Sequence, residues 1–204
     1  ESHGNEESAE YRQAMHGVAV IGYGIETNMD SDLYSSRRDE YMAKNVSWIL
    51  EEEKNYGNTH LFICGHNGHV AKEGTSYKVM GEYLEEAYGE NYFVIGTDYF
   101  KTECNMPKID GERTTQRFIS ANPLAAQVKY TESDMVYFDF DTVPETEKRL
   151  YNVIHTKTYM GSLGEGYSFI MKVAPYMHRI YKVPAEFYDG MILVYNTTPI
   201  EVIE

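Results

Sequence analysis

The chain has 204 residues, enough for one domain or a large domain with an arm, and 32 acidic against 18 basic side chains set its formal charge at −14. That balance excludes a nucleic-acid partner, which needs clustered basic charge, and an anionic membrane surface for the same reason. With 42% hydrophobic residues a packed core is expected, and no apolar run approaches the length of a membrane span.

Residues 1–33 read as an acidic arm or the end of a preceding helical region, and 34–204 as the main portion of the chain. The sequence opens at Glu1 with neither an initiator methionine nor a signal-peptide pattern, so the expectation is a stretch that starts partway into a longer protein. A helix from about Glu6 is possible. Residues 17–25 (GVAVIGYGI) fit either a buried strand or a glycine-lined helix. Gly22-Tyr23-Gly24 imitates the start of a dinucleotide fingerprint, but Thr27 stands at the third glycine position and Glu26, Asp30 and Asp32 would repel a phosphate. That reading is rejected.

After a turn-rich stretch at 28–35 comes the strongest helix, 37–54. Ser36 with Asp39 three residues on resembles a capping box, and Met42, Val46, Ile49 and Leu50 follow helical spacing. Residues 60–64 (HLFIC) read as a short buried strand, 65–69 as a glycine loop, 77–88 as a helix closed by Gly89, and 91–96 (NYFVIG) as a second buried strand. This alternation predicts an α/β fold with a mainly parallel sheet flanked by helices. Beyond it lie an irregular excursion at 101–127, a strand at 134–139, a helix at 144–155 and a last strand at 185–195. There is no internal repeat.

Chemistry concentrates in the loop 65–69. His66 and His69 flank Asn67 and Gly68 at the carboxyl end of an expected parallel strand, where ligands bind in open α/β sheets. Imidazole takes and gives protons near neutral pH, and glycine lets backbone approach a substrate. The plainer reading is one capping and one solvated histidine. A metal pair needs a third ligand, and neither Glu73 nor any distant aspartate is marked as one, so no metal and no cofactor is expected. Arg38, Met42, Asn45 and Ile49 share one helical stripe, which puts an arginine and an asparagine on the apolar face. Arg38 should then meet a carboxylate, in the protein or in a ligand, unless it snorkels to water. The two cysteines, Cys64 and Cys104, form no disulfide framework and point to a reducing, cytoplasmic setting.

Arg38-Asp39 with Met42-Ala43 and Asn45 (RDEYMAKN), then GHNGHV at 65–70, then Met80-Gly81 and Leu84 (MGEYL) together resemble the erythromycin esterase family. The match runs from about Tyr34 to Ile200, and Tyr99 onward to Asp189-Gly190 fits the family's closing strands. The resemblance implies the C-terminal half of a larger α/β hydrolase-like fold that opens ester or lactone bonds, macrolide rings in the antibiotic-resistance members. It implies His66, His69 and Arg38 as catalytic residues, with Asp39, Asn45 and Asn67 supporting them or the substrate. The histidines would polarise the carbonyl or shuttle protons, and Arg38 would stabilise an oxyanion or orient a carboxylate. It also implies that a histidine of a Gly-Glu-x-x-His segment, in an N-terminal half that completes the protein, activates water without a required metal. Glu1-Ser2-His3-Gly4 has only a chance likeness to that segment. Two other readings stay open: a non-catalytic small-molecule binding or biosynthetic accessory protein, and a metal-dependent hydrolase using His66 and His69.

Overall fold

The computed structural model describes residues 8–164 and 166–200. The Glu1-Ser2-His3-Gly4 stretch therefore lies outside the described residues. The chain divides into two compact units, Glu1–Gly89 and Glu90–Glu204. Among the described residues no helix is long and apolar enough to cross a membrane.

In the first unit, α1 (Ala9–Asn28) starts where the Ser8 side chain accepts a hydrogen bond from the Tyr11 N–H at 3.2 Å. The ambiguous segment 17–25 is thus helix, not strand. Its apolar side chains are not core: Val18, Ile21 and Ile25 are exposed. What fastens α1 to α2 (Tyr34–Lys54) is polar and aromatic. Arg12 Nε donates to both Glu52 oxygens at 2.8 and 2.9 Å, and the His16 ring stacks on Trp48 with centroids 3.7 Å apart.

Helix α2 begins three residues earlier than its periodicity predicts. Leu33 takes the cap position without a side-chain hydrogen bond, and the Ser36 hydroxyl, now inside the first turn, donates back to the Leu33 carbonyl at 3.2 Å. The expected capping box fails because Asp39 is buried for another purpose.

The strand expected at 60–64 does not form. The segment has no regular secondary structure, and Phe62 is 88% exposed. An apolar run becomes a strand only when a neighbour takes its backbone hydrogen bonds. The chain then enters the single turn α3 (Asn67–Val70) and the helix α4 (Met80–Tyr88), which Gly89 ends with φ of 51°. A Cβ built on Gly81 would fall inside van der Waals contact with the carbonyl oxygens of Val70 and Ala71, so the two helices approach backbone to backbone.

The second unit holds a four-stranded sheet. Its strands are β1 (Ile95–Pro107), β2 (Arg113–Ile119), β3 (Met135–Asp139) and, after α5 (Lys148–His155), the pair β4 (Thr158–Gly161) and β5 (Arg179–Lys182), the turn α6 (Pro184–Phe187) and β6 (Gly190–Thr197). The sheet runs β2-β1-β6-β3, while β4 and β5 form a separate two-stranded ribbon. Among the described residues only β1 with β6 is parallel; β1 with β2 and β3 with β6 are antiparallel. The class is therefore mixed α/β, but the sheet is mostly antiparallel rather than mainly parallel. The excursion at 101–127 is chiefly a hairpin, β1 to β2, turned at Gly111 with φ of 84°. The strand at 134–139 forms as expected, the helix expected at 144–155 is confined to its last eight residues, and the last strand starts five residues late, after the turn α6. Met191, Leu193, Phe187 and Ile154 are among the side chains fully withdrawn into this unit's interior.

Candidate functional site

The first unit gathers Arg38 and Asp39 from the start of α2, His66 and His69 around α3, and the amide at the start of α4. Asp39 lies at the centre, its side chain 0% exposed. Its Oδ2 faces His69 Nδ1 at 2.8 Å and accepts the Met80 N–H at 3.0 Å. A carboxylate withdrawn from water needs such donors to offset its desolvation.

The same contacts settle which way the His69 ring is protonated. Arg38 Nη2 lies 3.1 Å from His69 Nε2, and a guanidinium can only donate. Nε2 must then accept, which leaves the imidazole proton on Nδ1, donated to Asp39. His69 is thus a neutral link between a carboxylate and a guanidinium. Arg38 also sits over the Tyr34 ring at 5.8 Å from its centroid. Arg38 Nε and Asp39 Oδ1 are 3.7 Å apart, an ion pair rather than a hydrogen bond, and each is buried without a hydrogen-bond partner among the described residues. Burial, and next the Asp39 charge, push the Tyr77 phenol up, so it stays protonated beside Arg38.

His66 is exposed and caps α3: its Nδ1 accepts the Gly68 N–H at 3.1 Å. The neutral ring therefore carries its proton on Nε2. The His66 and His69 rings lie 6.3 Å apart at 68°. A Cβ at Gly68 would come within 3.2 Å of His66 Nδ1, so glycine leaves the imbidazole its room there. Asn67 opens α3, half-buried, between the two histidines. Asn45 stands two turns along α2 from Arg38, its Oδ1 buried without a partner among the described residues.

The site expected from sequence thus brings Arg38, Asp39, His66 and His69 together, with Asp39 at the centre instead of at its margin. Tyr77 escaped the reading because nothing in Ser76-Tyr77-Lys78 distinguishes it among nineteen tyrosines. As a cation pair the histidines are poorly suited, because both nitrogens of His69 are engaged and one faces a guanidinium. Among the described residues no group of three His, Cys, Asp or Glu side chains is arranged to hold a metal ion. Gly22-Tyr23-Gly24 lies within α1, not at the strand-to-helix turn a dinucleotide needs. Both cysteines are free thiols.

A second polar centre, unmarked in the sequence, belongs to the second unit. Asp98, on β1, is buried and accepts from the Tyr99 N–H at 2.7 Å, the Asn122 amide at 2.8 Å and the Gly161 N–H at 2.9 Å. Ser120 and Asn122 are themselves fully buried, and Ala121 between them takes a left-handed φ of 63°. Burial pushes the Asp98 carboxyl up, and the donors pull it back in part. This knot ties β1, the 120–122 corner and β4 together.

Against known structures the chain superimposes on a Bacillus cereus protein with a TM-score of 0.78 and 20% identity, covering 97% of this chain and 48% of that one. It also superimposes on a succinoglycan biosynthesis protein with a TM-score of 0.74 and 18% identity, covering 94% of this chain and 46% of that one. At these identities the likeness is one of fold, and the chain spans about half the length of either protein. No curated protein matches the chain at a significant level. The sequence profile named erythromycin esterase matches residues 1–197, which include every residue of the Arg38–Asp39–His69 constellation. On that match over nearly its whole length, the chain belongs to the erythromycin esterase family.

Proposed function

We propose that the protein hydrolyses an ester or lactone, with His66 and Arg38 acting on the carbonyl oxygen. The observation that carries this reading is a guanidinium held by a neutral acceptor, His69 Nε2, with the His66 imidazole, whose Nε2 bears the proton, 6.3 Å from the His69 ring. When water adds to an ester carbonyl, the C=O electron pair moves to oxygen and negative charge develops there. His66 Nε2–H donates to that oxygen and Arg38 balances its charge. The tetrahedral intermediate then expels the alcohol, which leaves with a proton. The base that takes the proton from water is assigned to a longer polypeptide of about twice this length, whose other half completes the site. Family membership and the half-length coverage of the solved relatives support this reading.

The test uses the full-length gene product, assayed with aryl esters and macrolides. His66→Ala is expected to lower kcat by about 10²–10³-fold, the cost of removing one oxyanion donor, with the circular-dichroism spectrum unchanged. Unchanged turnover in that variant refutes the assignment. A second reading, a binding or biosynthetic accessory protein, draws on the engagement of both His69 nitrogens, which leaves that ring no lone pair for a water. Ligand-induced thermal shifts without hydrolysis would favour it.

A further inference from the structure

His69 looks from sequence like half of a catalytic histidine pair, yet its surroundings leave it nothing to exchange. Asp39 Oδ2 accepts the hydrogen bond of Nδ1–H at 2.8 Å, and Arg38 Nη2 donates to Nε2 at 3.1 Å. The groups facing the ring are Asp39, Arg38 and, 6.3 Å away, His66. Taking up a second proton at Nε2 would set an imidazolium against the guanidinium and break the hydrogen bond that aims it. Giving up the Nδ1 proton would set an imidazolate against a buried carboxylate. Asp39 is itself pinned from a second direction by the Met80 N–H at 3.0 Å, so the ring has a fixed backstop.

We infer that His69 is a positioning residue for Arg38, and that it transfers no proton in the reaction. The inference rests on the ester-hydrolase reading for its meaning in catalysis, but its structural content does not. A neutral imidazole is used here as a rigid spacer with one donor and one acceptor about a ring-width apart. It passes the orientation of a buried carboxylate to a partly exposed cation.

A glutamine amide offers the same pair, a donor for Asp39 and an acceptor for Arg38, without a titrating proton. In the full-length protein His69→Ala is expected to lower kcat/KM by about 10²-fold, as a displaced oxyanion partner does, while His69→Gln restores at least about tenfold of that loss. The pH dependence of kcat in His69→Gln should keep the limbs of the parent. Nitrogen-15 spectra of the histidine rings in the parent supply a readout that needs no turnover. In its neutral form His69 should carry its proton on Nδ1. A His69→Gln variant as inactive as His69→Ala, a displaced pH limb, or a neutral His69 ring that carries its proton on Nε2 overturns the inference. If the parent hydrolyses no ester at all, the hydrolase reading falls and the ring spectra still decide this one.

Discussion

Two aspartates of this chain are buried, and each is buried differently. Asp39 keeps a cation beside it and joins His69 and the Met80 amide. Asp98 has only neutral donors, from Tyr99, Asn122 and Gly161, and burial raises its carboxyl above the ordinary aspartate range. A carboxyl raised in the folded state binds its proton more tightly there than in the unfolded chain. Its contribution is therefore most favourable below about pH 4, the unfolded value, and declines as pH rises from there through the raised folded value. Urea unfolding across that acid range should show the decline in the parent and a flatter profile in Asp98→Asn; an equal slope in both would contradict it. Asp39 was legible as a site residue only through its place in the Arg-Asp motif. Asp98 was not legible, because what makes it special is convergence of Asn122 and Gly161 from 24 and 63 positions away.

At the scale of elements, two helical glycines make opposite predictions. Gly22, inside α1, has open space around the position of a Cβ, so Gly22→Ala should stabilise the helix by about 0.5–1 kcal/mol through the lost backbone entropy of glycine. Gly81, in the first turn of α4, abuts the carbonyls of Val70 and Ala71, and Gly81→Ala must push α4 from α3 and draw the Met80 amide off Asp39. Thermal melts of the two variants should shift in opposite directions. Helices α2 and α4 were legible because four or more apolar positions repeat at the helical period. The ribbon of β4 and β5 was not, because four-residue strands carry too few alternations to register. The run 60–64 misled for the converse reason: its composition is that of a strand, but pairing depends on a neighbour that local pattern does not encode. The direction of pairing in the main sheet fails on the same ground, since β6 reaches β1 across 95 positions, from Ile95 to Gly190.

On the scale of the molecule, a net charge of −14 on 204 residues is unusual enough to act on stability by itself. Like charges at this density repel in the compact state, and added salt screens them within roughly 8–10 Å at 0.1–0.15 M. The melting temperature should therefore rise as sodium chloride is added, even though exposed pairs such as Lys44 with Glu40 and Lys108 with Glu112 weaken. A falling melting temperature would mean that those pairs outweigh the excess charge. Both units contribute acidic surface, but the constellation around Asp39 draws every named hydrogen bond from residues 38 to 80 of the first unit. An arrangement encoded in one short continuous stretch is inherited as a block. Recombination or drift in the second unit can rework the chain's surroundings while the guanidinium, its imidazole spacer and the carboxylate beneath travel together through descent.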